Sequence, residues 1–424
     1  MVESRLRGRR WIELAVIGIL LAVYAWRFVL PVFTTASPRA DDFQDYLYAA
    51  HQIAIGGNPY GDFLRNHLPW DWSLSSGYLY PPAFAALLIP LTWLPGDIAV
   101  RLWLLLIQGM VLGSLLVVYA VIGRPSRREV LAATAVVTSF FPLAASVWTG
   151  AMNTLLLFLL TLAWAFWLRR RDLLAGGLIG AAAVFKVFPA ALLPYLAWRR
   201  DWRLCAALVG TGIAGLGLCF LVTGWDHNLY YFRELLPHLS AGTGYRENQS
   251  LAGAATRLCD PSTADHGGSA GWCGRAIAWP AAGAVMVLVL VATRRPVRRG
   301  LEFALAVCAL PLISSVTWSF HLVLLLLPVA LLVRHVFEGG CSQVQRRLLL
   351  AAWACFALAP LVHYALIIEP VSASGIAGAV LGTLNAFFDE TYLIGTLVLL
   401  GVIWFEVRRG ANTTALAASQ TVAA

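Results

Sequence analysis

The sequence predicts an all-α protein that crosses a membrane many times, and three observations carry that prediction. Hydrophobic residues make up 59% of the 424 residues and charged residues 12%, where a soluble domain carries about a quarter charged. The mean hydropathy is +0.73, and apolar runs near the ~20 residues needed to cross a bilayer recur along the chain. Basic clusters punctuate those runs on alternate sides, as topology signals do.

Of the 31 basic residues, 30 are arginine and one is lysine. Twenty-two sit in short clusters: Arg5 to Arg10, Arg124 to Arg128, Arg169 to Arg171, Arg199 to Arg203, Arg294 to Arg299, Arg334 to Arg347, and Arg408 with Arg409. Six fall in segments assigned to the other side. This is the positive-inside pattern, with the clusters cytoplasmic. The net charge of +9 is therefore read as topology determinants near anionic lipid, and no nucleic-acid partner is expected.

The N-terminal run from Trp11 to Phe33 is too long for a signal-peptide core and no small-residue cleavage site follows, so it reads as an uncleaved first helix. With the N-terminus cytoplasmic, this helix leads to a first outer loop at about 34–80. The run from Pro81 to Pro95 is apolar but short, and is read as a partly inserted helix. Helices are expected at about 98–122, 129–147 and 151–168. The stretch from Asp172 to Trp198 is too short for two crossings and is broken at Lys186-Val187-Phe188-Pro189, which suggests a bent hairpin opening on the cytoplasmic side. A helix at about 203–223 leads to a second outer loop at about 224–275. Further helices follow at about 276–293, 300–316, 321–335, 347–367 and 389–407. The total is roughly 11 to 13 membrane segments in one domain over residues 1–409, with a disordered tail at 410–424. No internal repeat marks an inverted-repeat transporter.

The first outer loop concentrates carboxylates: Asp41, Asp42 and Asp45 lie within five residues. A helix starting near Asp42 places Asp42, Asp45 and Tyr46 on one face, and Gly56-Gly57-Asn58-Pro59 ends it. One such Asp can serve as a helix cap. Three exceed that need, and carboxylates at a membrane surface can act as a general base or bind a metal. Trp70, Trp72, Tyr78 and Tyr80 suit either the headgroup belt or a lipid-linked sugar.

Lys186 is the sole lysine and lies inside an apolar stretch. An ionisable group there is either functional or snorkels to the interface. Asn153 reads most simply as a cap or loop residue. His321, after Thr317-Trp318-Ser319-Phe320, falls on the same outer side as Asp42, where an imidazole can hold a phosphate or orient a hydroxyl. Tyr245 to Ser250 is a polar patch in which Arg246 is a candidate phosphate partner. Asn248-Gln249-Ser250 also fits a glycosylation sequon. Cys259 and Cys273, 14 apart in the second outer loop, are candidates for a disulfide in an oxidising compartment. No metal-spaced Cys/His cluster, P-loop or dinucleotide fingerprint appears, so a soluble nucleotide-sugar site is not expected.

Asp42-Phe43 with Tyr46, Gly57-Asn58-Pro59-Tyr60, Tyr80-Pro81-Pro82, the Lys186 to Pro189 break, Asn248-Gln249-Ser250 and Trp318 with His321 stand in this order along residues 40–335. Taken together they resemble glycosyltransferase family 87, of the GT-C superfamily. The resemblance implies an inverting transfer of a sugar, mannose by family default, from a polyprenyl-phosphate donor to a glycolipid or glycan hydroxyl at the outer face of a cell membrane, in a bacterium the inner one. It implies Asp42 as general base and His321 as a donor-phosphate or positioning group. It places Asp45, Tyr46, Tyr60, Tyr80, Lys186, Arg246, Asn248, Gln249 and Trp318 among substrate-binding candidates. Because a phosphate leaves readily, no cofactor is required, and a divalent metal is not expected. One departure from the family pattern is Gly150-Ala151-Met152-Asn153, where a Gln often follows the Gly. A transporter or flippase of a lipid-linked sugar is the alternative reading.

Overall fold

The chain is described here from a computed structural model over residues 2–36, 38, 40–61, 77–294, 300–366 and 389–423. Trp70 and Trp72 lie outside these residues. All regular structure among the described residues is helical.

The first helix, α1 (Val2–Tyr24), runs on through a π-turn at Ala25–Val29 and a last piece at Leu30–Thr34. Its open carbonyl end is closed from outside: Arg101 donates to the carbonyls of Thr35 (2.8 Å), Ala36 (3.2 Å) and Val32. A cation at a helix C-terminus is stabilising, and here it fixes where the chain turns into α2 (Asp41–Ala54). The bound face of α2 carries Phe43, Tyr46, Ala49 and Ala50, a helical spacing that puts one stripe against the core. Gly56, at φ +76°, turns the chain away.

Pro82 starts α3 (Pro82–Leu88), which tightens into a 3-10 turn at Ile89–Trp93. Twelve residues reach only about 18 Å against a hydrocarbon core of about 30 Å, so this run cannot cross alone. The long α4 (Gly96–Ile122) follows. A capping box of Ser126 and Glu129 opens α5 (Arg127–Ser139). Pro142 then breaks the helix, and α6 (Phe141–Thr149) departs at 52°. Gly150, left-handed at φ +70°, links α6 to α7 (Asn153–Leu168). A Cβ at this glycine would press on Phe43 and Ala40 at about 3 Å, so the residue type sets how closely the start of α2 approaches the end of α6.

The hairpin expected at 172–198 is α8 (Asp172–Phe185), a 3-10 turn at Phe188–Ala191, and α9 (Leu192–Trp198). It packs on α10 (Trp202–Thr223) through Gly176 and Gly180, where any Cβ would strike the carbonyls of Leu204 and Leu208. Small residues four apart let membrane helices touch backbone to backbone. The second loop holds α11 (Leu251–Cys259), joined to α12 (Trp272–Ala292) by the Cys259–Cys273 disulfide. Then come α13 (Gly300–Ile313), a 3-10 turn at Ser319–Leu325, α14 (Leu326–Phe337), α15 (Gln343–Leu366) and α16 (Thr391–Ala423).

Among the described residues six helices are long and apolar enough to cross a membrane, seven if the bent pair of α5 and α6 counts as one span. Five further apolar helices have 10–17 residues. The expected 11 to 13 segments are thus a mixture of full spans and shorter pieces. The chain is a multi-pass membrane protein. The last helix, α16, is described as far as Ala423.

Candidate active site

Three elements that are distant in sequence meet in one cleft: the start of α2, the bend between α8 and α9, and the turn before α14. Ala40 is the N-cap of α2 and no side chain caps the helix, so Asp41 and Asp42 occupy its first turn. Neither is spent as a cap. Tyr46, one turn on, donates its hydroxyl to Asp42 Oδ2 at 3.3 Å. The Tyr46 and Tyr80 hydroxyls lie 3.4 Å apart, and their rings meet edge to face at 5.3 Å. Burial first, and then the Asp45 charge, push the Asp42 carboxyl up to about 7. Burial and Asp41 bring Asp45 to about 6. Burial holds the Tyr46 phenol well above its usual value, so it stays a donor.

Lys186 stands at the hairpin bend. Its Nζ lies over the Tyr80 ring at 5.0 Å and the Phe188 ring at 5.6 Å, which are cation–π distances. It donates to Asn153 Oδ1 at 3.1 Å and meets His321 Nε2 at 2.8 Å. The bend therefore reaches the cleft of the acidic loop, and the cytoplasmic opening expected for the hairpin is replaced by one toward Asp42. The ammonium is held by protein partners, which removes the snorkelling alternative. Asn153 is completely buried. Because the lysine donates to its oxygen, its Nδ2 points away and has no hydrogen-bond partner, leaving one donor for a ligand. His321 is buried too, and its Nδ1 accepts from the Trp318 N–H at 3.2 Å. The imidazole tautomer decides which partner donates in the Lys186–His321 pair, and the two side chains form one hydrogen-bonded unit beside Asn153.

Tyr60 supports the cleft from behind. Its hydroxyl donates to the Tyr80 carbonyl at 3.0 Å, and its ring packs on Tyr78 and Tyr230 at 5.8 and 5.3 Å. Asn248 is fully buried and fully used. Its Nδ2 donates to Thr243 O (2.7 Å) and Ser315 O (3.0 Å), and its Oδ1 accepts from Thr317 N (2.8 Å) and Ser250 N (3.3 Å). Gln249 donates to the carbonyls of Arg246 and Asp389 and accepts from Leu393 N. The substrate-binding expectation for these two amides is corrected: all four hydrogen-bonding positions of Asn248 are spent on backbone. They clamp the turn that delivers Trp318 and His321. The same burial rules out a glycosylated Asn248. Arg246 pairs with Asp265. Trp318 packs edge to face on Tyr245 at 6.1 Å.

Asn153 is the functional candidate that sequence reasoning passed over. An amide after a Gly-Ala-Met turn looks like a cap, and only the fold shows it against Lys186.

The profile of glycosyltransferase family 87 matches residues 78–316, more than half of the chain. The chain belongs to glycosyltransferase family 87. The family match includes Tyr80, Asn153 and Lys186, whereas Asp42 and His321 lie on either side of it, so their link to the site rests on the contacts above. The chain is similar to the polyprenol-phosphate-mannose-dependent alpha-(1-2)-phosphatidylinositol pentamannoside mannosyltransferase of Mycobacterium tuberculosis (strain CDC 1551 / Oshkosh), at 28% identity over 300 residues, 68% of this chain and 66% of that protein. The enzyme of the same name from Mycolicibacterium smegmatis (strain ATCC 700084 / mc(2)155) is 27% identical over 262 residues, 61% of each chain. These matches span slightly less than two thirds of the relatives' own length. The crystal structure of ArnT from Cupriavidus metallidurans bound to undecaprenyl phosphate aligns with TM-score 0.44 and 14% identity over 94% of this family 87 chain and 77% of that one, a likeness too loose to inform the site.

Proposed function

We propose that the protein transfers a mannosyl unit from a polyprenyl-phosphate donor to a hydroxyl of a lipid-linked glycan acceptor, with inversion, on the outer face of a bacterial inner membrane. The observation that carries this reading is the opposition of one carboxylate, Asp42, to a cationic group of Lys186, His321 and Asn153 across the aromatic pair Tyr46 and Tyr80. The names of the mycobacterial relatives supply the donor class and the sugar. The arginine clusters between apolar runs support a cytoplasmic N-terminus and an outer cleft.

In this reaction the acceptor hydroxyl gives its proton to Asp42 as its oxygen attacks the anomeric carbon. The bond from that carbon to the phosphate oxygen breaks, and the electron pair leaves with the polyprenyl phosphate. Lys186 Nζ, held by His321 Nε2, and the Asn153 Nδ2–H face the charge that develops on the departing oxygen, and donors set in advance act most strongly in a site closed to water. Asp42 at about pKa 7 is matched to neutral pH, where a general base works best. The Tyr46 hydroxyl orients the carboxylate. The leaving phosphate needs no divalent metal when these groups are in place. The partly exposed rings of Tyr80 and Phe188 suit a sugar face or the first isoprene.

A transporter would move the donor intact and has no use for a base opposite the phosphate group. The test is purified protein with polyprenyl-phosphate mannose and a phosphatidylinositol mannoside acceptor. The expected outcome is a mannosylated lipid with inverted anomeric configuration. Retained configuration, or intact donor after long incubation with every acceptor and every polyprenyl-phosphate sugar tried, would overturn the proposal.

A further inference from the structure

His321 and His335 stand near the two ends of one helical span, Ser319–Phe337, so about 20 Å separates them by helix rise. At the His335 end a second cluster forms. His335 Nε2 lies 2.9 Å from Glu406 Oε2 on α16. Cys341, buried in the turn between α14 and α15, brings its thiol to the same place, and the three ligand atoms all lie within 4.8 Å of one another. We propose that His335, Cys341 and Glu406 bind one divalent transition-metal ion of the zinc class, as a structural site at the end of the fold remote from Asp42.

The geometry suits such an ion. Bonds of about 2.0 to 2.3 Å at tetrahedral angles put ligand atoms about 3.3 to 3.8 Å apart, and the observed separations bracket that range. The ligand set of one nitrogen, one thiolate and one carboxylate selects zinc-like ions over magnesium or calcium. Charge points the same way. Glu406 is buried, and its cationic neighbour Arg409 is 4.0 Å away and half-exposed. A divalent ion with one thiolate and one carboxylate is a neutral unit.

The backbone delivers these ligands closely. Gly339 ends α14 at φ +79°, and the Gly340 N–H returns to the His335 carbonyl at 2.9 Å. A Cβ at Gly340 would run into the His335 ring, so the turn folds Cys341 back over the imidazole only with glycine there. Gln345 donates to the other Glu406 oxygen, the kind of outer partner that orients a ligating carboxylate. A cavity of about 420 Å³ lined by His335, Gly340, Glu302 and Glu406 adjoins the group and gives an ion its entry and a water its fourth position. The surrounding Arg334, Arg346, Arg408 and Arg409 place this end in the cytoplasm, where a thiol stays reduced. The ion would pin α16 to the far end of the span that carries His321.

The bland rival is a His–Glu hydrogen bond with Cys341 as apolar filler. The experiment is elemental analysis of the full-length detergent-purified protein, followed by stripping and titration with Co²⁺. The expected result is about one zinc per chain, and a cobalt form with strong visible bands and a near-ultraviolet thiolate charge-transfer band. Cys341→Ser should lose that band and bind zinc at least tenfold more weakly. Its melting temperature without metal should match that of stripped wild type, which separates ligand loss from misfolding. Less than a tenth of an ion per chain after equilibration with buffered zinc, no charge-transfer band, or unchanged affinity in Cys341→Ser would each overturn the site. None of these readouts depends on mannosyl transfer, so failure here leaves the catalytic proposal standing, and the reverse.

Discussion

At the scale of single residues, the site is set by what surrounds each ionisable group. Burial and the Asp45 charge raise Asp42 to about 7, so the carboxylate is lost as pH falls through that value. Transfer at low substrate should therefore drop about tenfold per pH unit below pH 7 and level off above it. Asp45→Asn removes the charge that helps raise Asp42, and the acid limb of the pH–rate profile should move to lower pH. An unmoved limb would show that Asp45 does not act on the base. Lys186→Met should lower kcat by about 10² to 10³, the range for removing one preorganised group at a developing charge, as read in single-turnover assays. Lys186 was legible in the sequence because a lone lysine in an apolar run is costly. Asn153 was not, because an amide reveals nothing until its partner is known. The pairing of Arg246 with Asp265 was hidden for the same reason, since only the charge is visible in the sequence.

At the scale of elements, helix termini and turns place these residues. Asn248 makes four hydrogen bonds to backbone and holds the turn before α14 in place. Asn248→Ala should cost about 2 to 4 kcal/mol from buried backbone groups left unpaired, measured as a lowered melting temperature, with activity lost alongside. Gly150→Ala should act differently. It forces a side chain between the end of α6 and the start of α2 at a left-handed backbone position, and should separate Asp42 from Lys186. The expected readout is a lower kcat with a smaller loss of stability than in Asn248→Ala. The hairpin break at Lys186 to Pro189 was legible from its proline and its charge. Its direction was not, because flanking arginines report where a hairpin begins and ends but not how deep its tip reaches.

At the scale of the whole molecule, the membrane class followed from composition and from apolar runs of spanning length, which are properties of the chain rather than of any packing detail. The Cys259–Cys273 pair was legible from its loop and spacing, and the structure joins it. Closing a loop of this length is worth about 3 kcal/mol, so a reductant acting on this loop should lower the melting temperature without removing the cleft. The meeting of Asp42, Asn153, Lys186 and His321 was only partly legible, since contacts such as those of Lys186 with residues 33 and 135 positions away belong to the tertiary fold. The account stands or falls on Asp42 as the base that faces the departing phosphate. The most direct measurement is single-turnover mannosyl transfer by wild type and Asp42→Asn, with donor binding followed in the same samples. The account predicts donor binding within a few-fold of wild type and transfer slowed by about 10² to 10⁴. Transfer by Asp42→Asn at the wild-type rate would contradict it.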